Sequence, residues 1–228
     1  PNGKDFWFEK DEHLAELTAK NSTPEMSYNT PYFDVSKNGS TVHIDGRSYP
    51  LQIVGKHNLE NLRAAQLVCA ELGIDTAAFY KAAASFTGAG RRMEKIIDKP
   101  NQVVYRDFAH SPSKLKATTE AISETYPGTL LAVFELHTFS SLNEDFLPLY
   151  KATMQSADKA IVFYNDAVFE HKKMKKLEAN FVTSCFENVT VIHQPQELAE
   201  LVNTAYKQGD NILLMSSGKF ENAPFDFS

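Results

Sequence analysis

The chain has 228 residues, of which 43% are hydrophobic, enough to bury one good core or one core with a smaller appendage. Its net charge of -6 offers no broad basic face to a phosphate backbone, which argues against nucleic acid as a main partner. No apolar run approaches the roughly eighteen residues that would span a bilayer, and the two cysteines, Cys69 and Cys185, form neither a disulfide framework nor a metal spacing, so no membrane is expected and cytoplasm is the expected compartment.

The opening "PNGKDFWFEKDE", without an initiator Met or a signal-peptide core, reads as an entry into the middle of something larger. From Tyr32 the short runs "YFDV", "TVHI" and "RSYPLQIV", separated by the turn signals "KNGS" and "DGR", predict a β-meander or sheet margin. That stretch is too short for a core of its own. Its strands therefore either complete a sheet formed by other strands or pack on the next domain. From Glu60 the apolar residues Leu62, Ala65, Leu67, Val68, Ala70 and Leu72 recur at helical spacing until Gly73. A second helix, "TAAFYKAAASF", comes next with Asp75 as N-cap, and "TGAG" ends it.

The remainder alternates strands and helices. Strands are predicted at "RMEKII", "QVVYRDF", "TLLAVFE", "KAIVFY", "VTVIH" and "NILLMSS", with helices near residues 112–125, 143–156, 172–186 and 195–208. This alternation predicts an α/β fold, an open, Rossmann-like and mainly parallel sheet with flanking helices, preceded by the short β-strands. Ligands of such sheets sit beyond the C-terminal strand ends, which here carry "DFAHSP", "ELHTFSS", "YND" and "SSGKF".

Three polar clusters can be read in two ways. In "DFAHSP", Asp107 could accept hydrogen bonds from sugar hydroxyls and His110 with the adjoining helix start could face phosphate, or the pair could be a cap and a surface histidine. In "GAGRRMEK", Arg91 and Arg92 could reach a phosphate or be ordinary loop arginines. In "GKHNLENLRAA", His57, Asn58 and Asn61 open a helix, either as a solvated first turn or as carboxamides presented to a base edge.

In order and spacing these clusters resemble the ATP-dependent Mur ligases of bacterial peptidoglycan synthesis. "GKHNLENLRAAQLVCAELG" looks like that family's G-x-HN-x-x-N-x-x-AA segment, "GAGRRME" like its arginine motif, and "YRDFAHSP" like its D-[YF]-A-H-x-P motif, so the resemblance covers the chain from about residue 32 onward. It implies that residues 1–54 are the end of a central ATPase domain and 55–228 a C-terminal domain. It further implies ATP as nucleotide, with His57, Asn58 and Asn61 near adenine, Arg92 at the phosphates, Asp107 at the ribose, and His110 at the phosphates or the incoming amine. The implied reaction phosphorylates a carboxylate and lets an amine attack the acyl phosphate. The implied substrates are UDP-N-acetylmuramate and a tripeptide or amino-acid acceptor.

No G-x-x-x-x-G-K-[ST] loop occurs in the sequence. The resemblance places the family's phosphate loop, Mg2+ ligands and carbamylated lysine upstream, in N-terminal and central domains that would be this chain's partners, and no metal ligands within it. The isolated chain is then expected to be inactive. Within the family, "DFAH", "RRME" and "LLMSSGKF" look more like the branch that joins UDP-N-acetylmuramate to L-alanyl-γ-D-glutamyl-meso-diaminopimelate. The branch that takes L-alanine carries an H-R-Y-T-R-type segment where this chain has "ELHTFSSLNEDF". His137, Thr138 and Ser141 are accordingly the expected acceptor-side residues, with a polar turn before the next helix as their alternative reading. A non-catalytic nucleotide-binding or interaction module remains the reading from another class.

Overall fold

The computed structural model describes residues 3–20 and 25–228, so the first two residues of the opening segment lie outside it. The chain divides into two compact units, Pro1–Thr87 and Gly88–Ser228.

In the first unit, β1 (Asp5–Phe8) pairs in parallel with β2 (Glu25–Tyr28), and α1 (Glu12–Thr18) lies between them in the chain. Asp11 caps α1 by accepting the N–H groups of His13 and Leu14 at 3.1 Å. These three elements carry no clear sequence signal, because four-residue strands and a seven-residue helix are too short to establish a period. The expected meander is formed by β3 (Tyr32–Ser36), β4 (Gly39–Ile44) and β5 (Arg47–Leu51), paired antiparallel. Asp45 and Gly46 turn the second hairpin with φ of 51° and 72°, the two positive values that a tight hairpin turn demands.

α2 (Lys56–Glu71) begins one turn earlier than its apolar period predicts, and α3 (Thr76–Ala83) carries the expected cap, Asp75 accepting Ala78 N–H at 2.9 Å. Val42, Leu51 and Ile53 of the meander share a buried cluster with Leu59 of α2 and Tyr80 of α3. The meander thus takes its core from the two helices after it. The compact-unit division falls at Thr87/Gly88, after α2 and α3, which contribute to that cluster.

The second unit is the expected α/β structure. Its strands are β6 (Glu94–Lys99), β7 (Gln102–Asp107), β8 (Leu130–Glu135), β9 (Lys159–Phe163), β10 (Thr190–Ile192) and β11 (Asn211–Met215), in the order β10-β9-β8-β11-β7-β6. Only the β6–β7 pairing is antiparallel. Every residue of β8 and β11 is buried, as expected for strands covered on both faces. β11, last in sequence, inserts between β7 and β8, and this brings the loops after all three strands to one edge.

α4 (Pro112–Thr125) and α7 (Pro195–Lys207) lie where expected. Two predicted helices are corrected. Residues 143–156 hold only a short 3-10 helix, Leu147–Tyr150, because Pro148 supplies no N–H and Ala152 turns left-handed at φ 57°. The predicted 172–186 helix is instead α5 (Ala167–Lys172) and α6 (Ala179–Phe186). Lys173 ends α5 in the left-handed region, and buried Leu177, whose carbonyl accepts the Tyr164 hydroxyl at 3.1 Å, pins the linker.

Candidate functional site

Register places Asp107, Met215 and Phe134 side by side at the C-terminal ends of β7, β11 and β8. Everything beyond that row lies where ligands of such sheets bind. Asp107 is buried at 6% exposure, and its carboxylate accepts the N–H of Met93 at 2.6 Å on Oδ2 and that of Ala109 at 2.7 Å on Oδ1. Its carbonyl accepts Ser216 N–H at 2.9 Å. One residue therefore ties the arginine loop, its own loop and the start of the "SSGK" loop together. Arg91 and Met93 have φ of 59° and 48°, so the arginine loop holds backbone strain that needs such an anchor.

The two arginines separate. Arg91 donates from Nη2 to the carbonyls of Gly218 at 2.5 Å and Ser216 at 3.4 Å, and its guanidinium lies 5.5 Å from the Phe108 ring centroid. Arg92 is exposed. His110 is half-buried, its Nδ1 2.9 Å from the Phe108 carbonyl, and its own carbonyl accepts the Tyr150 hydroxyl at 2.5 Å. Nδ1 as donor to that carbonyl leaves Nε2 as the acceptor nitrogen. Ser111, the N-cap of α4, makes no side-chain cap bond, and Pro112 occupies the first helical turn.

Glu135 closes β8 as a carboxylate only 3% exposed. Its Oε2 accepts the Ser216 hydroxyl and the Phe220 N–H, the latter at 2.9 Å, and its Oε1 lies 3.9 Å from Nδ1 of His137. A Cβ on Gly218 would come within 2.7 Å of Glu135 Oε2 and 3.0 Å of the His137 ring, so only glycine fits there unless these side chains shift. Glu135 and Ser216 escape a reading of the sequence. The available signal is a carboxylate at the end of the otherwise apolar strand "LLAVFE".

Thr138 and Ser141 bond chiefly to each other. Ser141, 0% exposed, accepts the N–H groups of His137 and Thr138 at 3.1 and 3.0 Å, and its own N–H meets the Thr138 hydroxyl at 3.1 Å. The pair builds a locked turn that presents the half-buried His137 and the exposed Phe139. In the first unit, Asn58 Nδ2 donates to the Val54 carbonyl at 2.8 Å, pinning the entry to α2, while His57 is half-buried and Asn61 exposed. Of the residues singled out in the sequence, Arg92, Asp107, His110, His137, Thr138 and Ser141 therefore share the sheet edge of the second unit, and His57, Asn58 and Asn61 open α2 in the first.

No helix among the described residues is long and apolar enough to cross a membrane, and no group of three or more His, Cys, Asp or Glu side chains among them could hold a metal ion.

An open, mainly parallel sheet whose strand-end loops are fastened by buried carboxylates puts the second unit in the α/β class. The pattern of the Mur ligase family, glutamate ligase domain, matches residues 91–218, from the arginine loop to Gly218, and the chain belongs to that family. A UDP-N-acetylmuramate–L-alanine ligase of Caldicellulosiruptor bescii is 37% identical over 132 residues, which are 57% of this chain and 28% of that protein. The murein peptide ligase of Psychrobacter arcticus has the same fold, with a TM-score of 0.62 at 21% identity over 98% of this chain and 50% of its own. So does a Mycobacterium tuberculosis folylpolyglutamate synthase complexed with ADP and AMPPCP, at a TM-score of 0.64 and 16% identity over 90% of this chain and 50% of its own. The chain thus spans half or less of these proteins.

Proposed function

We propose that this chain supplies the C-terminal part of an ATP-dependent amide ligase acting on peptidoglycan precursors in the cytoplasm. The reaction makes an acyl phosphate from a carboxylate of UDP-N-acetylmuramate, and the amine of an amino acid or tripeptide displaces the phosphate. The observation that carries this reading is that the family match begins and ends on the two loops, at Arg91 and Gly218, that Asp107 and Glu135 fasten to one sheet edge. Catalysis of this kind needs little covalent chemistry from the protein and much positioning and charge neutralisation.

In this reading the guanidinium of the exposed Arg92 would meet phosphate oxygens, and His110 would offer a ring nitrogen at the same edge. Asp107 would face the ribose with lone pairs left over from its structural bonds, since a carboxylate can accept about four hydrogen bonds. His57, Asn58 and Asn61 would lie near adenine. Mg2+ would be held mainly by residues other than these 228.

Two acceptors compete. L-alanine is the one named for the Caldicellulosiruptor relative, whereas Thr138 and Ser141, which hydrogen-bond to each other, would in our reading of the resemblance replace the arginines expected of an L-alanine ligase. We favour the tripeptide. The natural protein carrying this sequence, incubated with ATP, Mg2+ and UDP-N-acetylmuramate, should yield a hydroxamate with hydroxylamine and an amide with the tripeptide. Absence of both, alongside nucleotide binding, would favour the non-catalytic module. Residues 1–228 alone, without a G-x-x-x-x-G-K-[ST] loop, should form no amide.

A further inference from the structure

The arginine loop runs into a carboxylate that the site has not so far used. Glu94 opens β6, and register sets it across from Arg106 of β7, one residue before Asp107. Its Oε2 accepts the N–H of Arg91 at 3.1 Å and lies 3.5 Å from Nε of Arg106. One oxygen is thus shared by the backbone of the loop and a cation on the neighbouring strand.

The loop has need of this second tie. Arg91 and Met93 both lie in the left-handed region, which a residue with a Cβ keeps only where its surroundings hold it there. The Met93 N–H goes to Asp107 at 2.6 Å and the Arg91 N–H to Glu94 at 3.1 Å. Between them, the Arg92 N–H reaches the Ala89 carbonyl at 2.9 Å and closes a turn. Gly88, at φ 100°, lets that turn fold tightly, since a Cβ there would come within 3.2 Å of the Arg92 carbonyl. Three successive N–H groups therefore have fixed acceptors, two of them carboxylates, and the exposed Arg92 stands between the two strained residues. The Arg91 side chain is already committed to the Ser216 and Gly218 carbonyls, so the cation that this turn has left to offer is Arg92.

We propose that Glu94 is a positioning residue for Arg92: by holding the Arg91 N–H it keeps the turn in the conformation from which Arg92 meets the nucleotide phosphates. This inference rests on the amide-ligase reading of the same edge and on the place of Arg92 in it. Glu94 itself touches no substrate. A guanidinium bonds phosphate oxygens through a planar fork that works in a narrow set of orientations, so a loosened turn weakens the contact without removing the charge.

The test is a double-mutant cycle in the natural protein carrying this sequence, with Arg92→Ala, Glu94→Ala, the double variant and Glu94→Gln. The nucleotide KM is read from hydroxamate formation with ATP, UDP-N-acetylmuramate and hydroxylamine, and thermal melts are recorded beside it. Glu94→Ala should raise the nucleotide KM about three- to tenfold. Glu94→Gln, whose amide oxygen can still accept the Arg91 N–H, should stay within about twofold of the wild type. The double variant should show the KM of Arg92→Ala alone, because a residue that acts through Arg92 has nothing left to position. A merely structural Glu94 would lower the melting temperature and leave the nucleotide KM unmoved, and that result overturns the proposal. Multiplying effects in the double variant, or a Gln variant as impaired as the Ala variant, overturn it as well. Should Glu94→Ala not fold, Glu94→Met keeps the length of the side chain without the acceptor and takes its place. If Arg92→Ala leaves the nucleotide KM unchanged, the phosphate reading of Arg92 falls and this inference with it. If Arg92→Ala raises the KM and Glu94→Ala does not, only this inference falls. Should no hydroxamate form, the ligase reading falls by itself, and calorimetric titration with ATP decides the same cycle from Kd values.

Discussion

The main-chain N–H of Met93 donates to Oδ2 of Asp107 at 2.6 Å, across fourteen residues and two strands. This bond holds a loop with two left-handed non-glycine residues against the end of β7. The carboxylate that the family resemblance assigns to a ribose thus carries a structural duty first. Asp107→Ala should therefore lower the stability of the second unit by about 1–3 kcal/mol by leaving buried N–H groups unpaired. Urea denaturation checks this, and an unchanged midpoint would show that the loop holds without its anchor.

The two neighbouring arginines should respond oppositely. Arg91→Ala removes the donor to the Ser216 and Gly218 carbonyls and should destabilise by about 1–3 kcal/mol. Arg92→Ala, at an exposed side chain, should leave stability within about 0.5 kcal/mol yet raise the nucleotide requirement of the natural protein about tenfold or more. Thermal melts together with ATP-dependent kinetics separate the two roles, and a stability loss confined to Arg92→Ala would reverse the assignment.

Gly218→Ala tests the close approach of the "SSGK" loop to β8. The added methyl would meet Glu135 Oε2 at 2.7 Å and the His137 ring at 3.0 Å, an overpacking worth about 1–3 kcal/mol. Gly90→Ala is the control, because nothing lies within 4 Å of the added carbon there. Equal melting temperatures for the two variants would mean that Glu135 and His137 yield easily.

Ser141→Ala should loosen the turn that carries His137 and Phe139. It removes the acceptor of two main-chain N–H groups and the donor to the Thr138 carbonyl, at a cost of about 1–3 kcal/mol. Amide hydrogen exchange at His137 and Thr138 should accelerate, and exchange at wild-type rates would contradict this account.

Alkaline pH should unfold the protein through its buried tyrosines. Burial pushes Tyr80 and Tyr164 up to about 12, and raises Tyr105 and Tyr150 further still. The folded state then holds protons that the unfolded chain releases near pH 10, so this contribution to stability is complete below about pH 10 and is lost as pH rises toward 12 and beyond. Tyrosinate absorbance from the buried set should appear together with loss of helix signal. A smooth titration of all nine tyrosines near pH 10 with the fold intact would sink the prediction.

The sequence by itself determined the alternation of apolar strands with helices, the meander from Tyr32, and the helices that open at Pro112 and Pro195. Each of these rests on local signals: a period of two or 3.6, a turn pair such as Asp45–Gly46, a proline in a first turn. Local signals also marked the family motifs, whose residues are spaced by chain geometry alone. Tertiary structure decided what those signals could not encode. β11 enters the middle of the sheet because its two fully apolar faces need cover on both sides, and only this placement brings the loops after β7, β8 and β11 together. Which arginine is tied down and which is exposed depends on the Ser216 and Gly218 carbonyls, 125 and 127 residues away in sequence. Glu135 reads in sequence as the last letter of a strand, and its task becomes visible only when Phe220 N–H and the Ser216 hydroxyl fold onto it. The helices predicted at 143–156 and 172–186 failed for the same reason in reverse. Their apolar residues do become buried, at Leu147, Tyr150, Leu177 and Val182, but by packing of turns and short helices around Pro148 and Lys173 rather than along one helical face.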